Sequence, residues 1–327
     1  MSLVKMAASK LRFITRSFAT TNKFIIRGAL PNDIEYVTRQ AILDGWHVGP
    51  YDFFCAYAFD PKGFFIGEVD GQVVCHVSAI TYPNHHSYMG ALLVKEEHRD
   101  KGYGQKIGYT AYDTLDKKFT TGFDVDSKLR SKYETLGFQT VWDTYVAMLS
   151  MSKVAMNLAE IELPSDVVAK PLHSVNLEKL LKYDSFVFGA PRQRLMKGWI
   201  TMQGSFGWVA VNEKINEIVG YVVLKQVIRG AGTEIGLAMA PLFANNIQIA
   251  RLLLKLAAEN CLANEAVPNT KLELFHPVGD NCGEDSTQLM NELEAELTHI
   301  AYRMYTKGIP SGRQLRKIYG IASPTFD

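Results

Sequence analysis

The chain has 327 residues and a formal net charge of +1, long enough for two domains at roughly 100–200 residues each. An apolar share of 47% and a charged share of 21% describe an ordinary globular chain, and near-neutral charge gives no reason to invoke a nucleic-acid partner. No apolar run reaches the ~18–20 residues of a membrane-spanning helix. Cys55, Cys75, Cys261 and Cys282 form no C-x-x-C pair, which argues against a disulfide framework or a Cys-rich zinc site and for a reducing compartment.

Residues 1–32 carry Lys5, Lys10, Arg12, Arg16, Lys23 and Arg27 and no acid. Leu3, Ala7, Leu11, Ile14 and Phe18 share one helical face, with Lys5, Arg12 and Arg16 opposite. Residues 1–22 therefore read as a mitochondrial transit peptide, and the expected location is the mitochondrial matrix, otherwise the cytoplasm. A strand is expected at Lys23–Arg27 and a helix from Pro31-Asn32-Asp33, ended by Gly45 and Gly49-Pro50. The aromatic stretch with Trp46, His47, Tyr51, Phe53, Phe54 and Tyr57 comes next. Phe64–Val69 and Val73–Ile80 flank Asp70-Gly71 as a hairpin. Ser87–Val94 is the next strand.

That strand runs into a basic, glycine-containing loop, Val94-Lys95-Glu96-Glu97-His98-Arg99-Asp100-Lys101-Gly102-Tyr103-Gly104. A helix is expected from about Gly104 to Lys117. Glycine lets the backbone approach a ligand closely, and the free N–H groups of the helix start favour a phosphate. Arg99 and Lys101 add charge, Arg being able to grip an oxyanion bidentately. Further on come a strand at Phe123–Val125, a helix at Lys128–Thr135 capped by Gly137, and a strand at Gln139–Leu149.

A boundary falls near Lys153–Leu163, so the expected domains are 23–150, a linker at 151–163, and 164–327. The second half repeats the order: a helix at Leu177–Tyr183, a hairpin from Trp208–Val211 to Ile218–Val227, a strand at Glu234–Ala240, a helix at Ile247–Leu262, a strand at Lys271–Phe275, a helix at Ser286–Ala301 and a strand at Ile318–Ala322. The hairpins lie about 145 residues apart, the mark of a duplicated unit. The second strand-to-helix junction, Met239-Ala240-Pro241-Leu242-Phe243-Ala244-Asn245-Asn246-Ile247-Gln248, has no glycine and no cation. Only the first half is expected to hold a phosphate ligand.

These residues carry a family resemblance. Val94-x4-Arg99-x2-Gly102-x-Gly104 resembles the acetyl-CoA loop of the GNAT N-acetyltransferases, and Tyr133-Glu134-Thr135-Leu136-Gly137-Phe138 resembles a second run of that family. Together they cover residues 24–150. The second half resembles the C-terminal lobe of two-lobed GNAT proteins through Asp184, Gly189, Arg192, Pro241–Asn245 and Arg303-Met304-Tyr305, with shorter and less specific runs. The resemblance implies an α/β (α+β) fold of tandem GNAT-like lobes, each a mixed, mostly antiparallel twisted sheet flanked by helices. It implies acetyl-CoA as cosubstrate and no metal. The pantetheine would lie in a splay beside Leu92, Leu93 and Val94, the pyrophosphate on Arg99, Asp100, Lys101, Gly102, Tyr103 and Gly104, and Tyr133 near the thioester sulfur.

Direct acetyl transfer needs a neutral amine, a donor to the thioester oxygen and a proton for the leaving thiolate. Val94 N–H is a candidate donor and Tyr133 the candidate acid. Family members often carry a carboxylate on the strand before the loop, yet Ser87-Tyr88-Met89-Gly90-Ala91 has none. The base is unassigned, His76, His85, His86, Asp124 and Asp126 being candidates and His76 the first choice. Trp46 and Tyr51 are candidates to wall the acceptor, and Asp184 and Arg192 to hold its charge. The leading expectation is an acetyl-CoA-dependent N-acetyltransferase of a small-molecule amine. A non-catalytic acyl-CoA-binding or regulatory protein and a mitochondrial protein-lysine acetyltransferase are the alternatives.

Overall fold

The computed structural model describes residues 23–83, 86–162, 164–263, 271–280 and 282–327. The expected transit peptide lies outside them. The first half runs β1 (Phe24–Gly28), α1 (Asp33–Leu43), α2 (Asp52–Phe59), β2 (Phe64–Val69), β3 (Gln72–Tyr82), β4 (His86–Val94), α3 (Tyr103–Asp113), β5 (Thr120–Asp126), α4 (Ser127–Thr135) and β6 (Gln139–Ser150). The second runs α5 (Met151–Asn157), β7 (Val167–Pro171), α6 (Leu177–Phe188), α7 (Gln193–Thr201), β8 (Phe206–Asn212), β9 (Glu217–Arg229), β10 (Glu234–Ala244), α8 (Ile247–Ala263), β11 (Lys271–Val278), α9 (Glu284–Glu292), β12 (Glu296–Tyr305) and β13 (Ile318–Gly320).

The hairpin turn at Asp70-Gly71 has both residues at positive φ (50° and 78°), as a type I′ connection demands. The segment expected as a linker begins with α5, whose Met151 and Val154 are buried against α8. The helix expected over Ser286–Ala301 is two elements. It stops at Glu292, Glu294 takes φ 51°, and β12 begins at Glu296. Thr298, Ile300 and Tyr302 suit a pleated strand better than a helix.

The thirteen strands among the described residues join one sheet in the order β1-β2-β3-β4-β5-β12-β6-β11-β10-β9-β8-β7, with β13 beside β10. The two halves exchange strands at the centre. β12 of the second half inserts between β5 and β6 of the first, and β6 inserts between β12 and β11. The boundary expected near 151–163 does not divide the sheet, because strands of the two halves alternate across it. A buried ion pair crosses this seam. Arg303 of β12 donates to both carboxylate oxygens of Asp124 on β5, at 3.0 and 2.7 Å, and Asp124 also accepts from Thr144 of β6 and from Tyr88 of β4.

The helices sort by face. α1, α2, α6 and α7 share one apolar cluster on the face where the halves meet. α3 packs Ile107 and Ala111 on the opposite face, against Val74, Val77 and Ala79 of β3. α5, α8 and α9 cover the second half there, with Leu253, Leu254 and Ala257 of α8 at the centre.

In the first half, β4 and β5 pair in parallel only over His86–Tyr88 and Thr120–Gly122. Beyond that they part, leaving a splay that opens toward the loop after Val94. In the second half, β10 and β11 likewise pair only over Leu237–Met239 and Leu272–Leu274. There the gap is filled: β13 pairs with Leu242 and Phe243, and Ile321 N–H donates to Phe275 O at 2.8 Å. The chain then runs under β4 of the first half. Tyr88 Oη lies 2.8 Å from Pro324 O, its one proton shared between that carbonyl and Asp124, and a Cβ on Gly90 would lie 2.2 Å from Thr325 O.

Candidate active site

The open splay is built by β4 and the loop after it. Across from β3, His76 pairs with Leu93 and Ser78 with Gly90, so Ala91-Leu92 form a bulge opposite Val77. Ala91 takes φ 49° to make it. Lys95 N–H bonds Val74 O. By the alternation of an antiparallel ladder, the N–H of Val94 then points away from β3 and into the splay. Leu93 is buried, Val94 half-buried and Leu92 exposed.

The loop is held by its own side chains. Arg99 Nε donates to Val94 O at 3.1 Å, and its guanidinium pairs with Asp44, just past α1. Lys101 Nζ donates to Glu97 O at 2.8 Å. Arg99 thus latches the loop to strand and helix, where sequence reasoning expected it to grip the phosphates. The backbone is left for the ligand. Asp100 and Gly102 both take positive φ (60° and 78°), and no side chain caps the start of α3. Such a turn at a helix start is an anion nest. A Cβ at Gly102 would meet nothing within 4 Å, and one at Gly104 would sit 3.1 Å from Val94 Cγ2. Tyr103 turns outward to stack on Phe24, ring centroids 4.5 Å apart. It helps line an open groove of about 730 Å³ on the outer flank of α3, with Lys101, Lys106 and Tyr109. That groove lies beside the splay, on the β1 side.

Across the splay, α4 starts at Asp126, whose carboxylate caps it by accepting from Lys128 N–H at 2.9 Å. This places Tyr133 two turns on. Tyr133 is half-buried among Phe123 and Phe138, with centroids 4.5 and 6.1 Å away, and burial raises its pKa. It keeps its proton at neutral pH.

The expected bases are less available. His76 and His86 are buried, and burial pushes their pKa values down to about 4 and about 3, Arg313 adding to the effect at His86. His85 lies outside the described residues. Asp124 is committed to Arg303, Thr144 and Tyr88. Asp126 is held low, first by its hydrogen bond from Lys128. His76 faces the shared inter-half core from β3 and offers no open lone pair to solvent at 2% exposure.

The expected acceptor residues divide. Trp46 packs partly buried on the shared core and Tyr51 is 40% exposed at the start of α2. Asp184 and Arg192 correct an expectation. They are buried at 1% and 0% exposure and bind each other through two bonds of 2.9 Å. Tyr221 Oη donates to Asp184 at 2.5 Å, and Asp327 lies 3.4 Å from Arg192 Nη1. They lock the fold's interior and present nothing to an acceptor. Among the described residues, no three His, Cys, Asp or Glu side chains group as a metal site.

Sequence reasoning missed one group. His47, between α1 and α2, pairs through Nδ1 with Glu273 of β11, and Arg229 Nη2 lies 3.4 Å from the same carboxylate. Nothing local signals a contact between residues so distant in the chain.

Comparison with known proteins bears on the family and the fold. Residues 32–138 match the Acetyltransferase (GNAT) family and residues 180–320 match an Acetyltransferase (GNAT) domain. A holothin acyltransferase from Pseudoalteromonas sp. is 26% identical over 289 residues, covering 88% of this chain and 90% of that protein. A tandem GNAT protein from the clavulanic acid biosynthesis pathway superposes with a TM-score of 0.62 at 15% identity, over 86% of this chain and 98% of its own. A GCN5-related N-acetyltransferase from Sphaerobacter thermophilus does so with a TM-score of 0.54 at 14% identity, over 92% and 98%. The family uses acyl-CoA, and the nest at Asp100–Gly104 with its open splay fits such a donor. The chain belongs to the GNAT acetyltransferase family, as a two-lobed acyltransferase.

Proposed function

We propose that the protein is an acetyl-CoA-dependent N-acetyltransferase that acts by direct transfer on a small-molecule amine. One observation carries this reading: the first lobe has an open splay ending in an anion nest, whereas β13 fills the matching gap of the second lobe. One donor site enclosed by two interlocked lobes suits a discrete small acceptor. The similarity to a holothin acyltransferase along both lobes supports the same reading.

In this account the N–H groups at Gly102–Gly104 and the positive end of α3 hold the pyrophosphate. Val94 N–H, turned into the splay, donates to the thioester carbonyl oxygen, where charge develops as the amine attacks. The amine nitrogen bonds the carbonyl carbon, the carbon–sulfur bond breaks, and the thiolate takes the Tyr133 proton. The raised pKa of Tyr133 keeps that proton in place until sulfur needs it. The acid-free basic segment 1–32 supports action in the mitochondrial matrix.

The test is incubation of the protein with acetyl-CoA and a panel of small amines while free thiol is followed. Turnover with a small amine supports the reading. Tight acetyl-CoA binding without turnover would replace it with a non-catalytic acyl-CoA-binding protein.

A further inference from the structure

We propose that His47, held by Glu273 of the second lobe, takes the proton from the acceptor amine. The inference rests on the amine-acetylation reading above and supplies the base that β4 lacks.

The chain path brings His47 to the mouth between the lobes. Asp44, three residues earlier, pairs with Arg99 of the donor loop. Val48, one residue later, bridges β9, with Ile228 N–H donating to Val48 O at 3.0 Å. The segment therefore spans from the donor loop to the second lobe, with His47 on the crossing. Glu273 is 2% exposed. It stands in a row with Ala238 and Lys225 across β11, β10 and β9. Lys225 lies under Trp199 of α7, which sets this row on the face where the lobes meet.

The partners set the chemistry. An ionised carboxylate can only accept, so the tautomer that suits this pair carries Nδ1–H and has its lone pair on Nε2. Nε2 makes no hydrogen bond among the described residues. The His47 side chain is 37% exposed while Glu273 is buried, so the dyad offers a supported base at an accessible surface. Other charges face it. Arg229 lies on Glu273, Lys225 is paired with Asp52, Asp44 with Arg99, and Asp126 at the end of β5 lies 3.7 Å from His299 of β12. Each of these cations has its acid, His299 an exposed one in Asp126, and among the described residues only His47 is an accessible histidine whose partner carboxylate is buried.

In the step, the ammonium gives one proton to His47 Nε2 and becomes a neutral nucleophile. It forms the carbon–nitrogen bond as the thioester carbon–sulfur bond breaks. The nitrogen then releases its second proton to solvent, solvent reprotonates the Tyr133 oxygen that gave its proton to sulfur, and His47 returns its own proton to solvent, so one proton is released per turnover. Glu273 is a positioning residue, since it acts through the imidazole.

The experiment uses acetyl-CoA with benzylamine, protonated at pH 7, and aniline, neutral at pH 7. His47→Gln lowers kcat/KM for benzylamine ~10²–10⁴-fold and abolishes its acid limb, while the loss for aniline stays under ~10-fold and acetyl-CoA affinity is kept. Glu273→Gln lowers kcat for benzylamine less and moves the acid limb. A His47→Gln rate within ~3-fold of the parent, or the same loss on His299→Gln with His47 intact, overturns the proposal. Independently of turnover, ¹⁵N NMR reads a His47 Nδ1–H tautomer that Glu273→Gln scrambles, and a Nε2 signal that benzylamine moves. If the parent acetylates neither amine, the acetylation reading fails by itself. The NMR then decides: an unchanged tautomer in Glu273→Gln, or an Nε2 signal blind to benzylamine, refutes the dyad.

Discussion

Gly104→Glu separates donor binding from folding. Gly104 is the second residue of α3, and its missing Cβ faces Val94 Cγ2 at 3.1 Å. A carboxylate there adds a negative charge beside the proposed pyrophosphate, and two like unit charges ~5 Å apart cost about 3 kcal/mol at an effective dielectric of ~20. Two phosphate charges give about 6 kcal/mol, or ~10⁴-fold in affinity, and screening that halves it leaves ~10²-fold. The same change favours the helix. Replacing a helical glycine gains about 0.5–1 kcal/mol, and an acid in the first turn another 0.3–1 kcal/mol against the dipole. These offset the close contact with a side-chain methyl of Val94. Calorimetric titration with acetyl-CoA should show the loss while the melting temperature stays level. Acetyl-CoA affinity within ~3-fold of the parent would refute the assignment of the nest, since electrostatics allow no such tolerance.

Tyr133→Phe is expected to lower kcat ~10²-fold with acetyl-CoA affinity kept, and an unchanged rate across pH would remove Tyr133 as the acid. Arg303→Met leaves Asp124 charged and buried at the seam, and should cost about 3–5 kcal/mol in urea denaturation, most of it restored by Asp124→Leu in the same chain. His76, His86 and His276 are buried, with pKa values lowered to about 4, about 3 and about 4. They stay neutral in the fold but take protons below about pH 6.5 when unfolded, so stability is full above that value and falls as pH drops from 6.5 toward 4. At pH 5 each should have cost about 2 kcal/mol. A denaturation midpoint flat between pH 7 and pH 5 would contradict this.

What could be read from the sequence was local. The glycine loop, the Asp70-Gly71 hairpin and the α4 run around Tyr133 are set by neighbours in the chain, and each stands where its residue types placed it. Misreadings came from distant partners. Leu293 to Ala301 continues an apolar spacing that suits a helix, and it becomes β12 because β5 and β6 leave a slot for it. The role of Arg99 depends on Asp44, 55 residues away, and that of Arg192 on Asp184 and the tail at Asp327. The filling of the second splay needs β13, which no pattern near Pro241 announces. His47 and Glu273 meet across 226 residues and have no sequence signal at all.

The central claim is a single donor site in the first lobe. Equilibrium dialysis of radiolabelled acetyl-CoA tests it most directly. The account predicts one molecule bound per chain, lost in Gly104→Glu and unchanged in Asn246→Glu at the second lobe's junction. Two molecules per chain, or one that survives Gly104→Glu and is lost in Asn246→Glu, would contradict it.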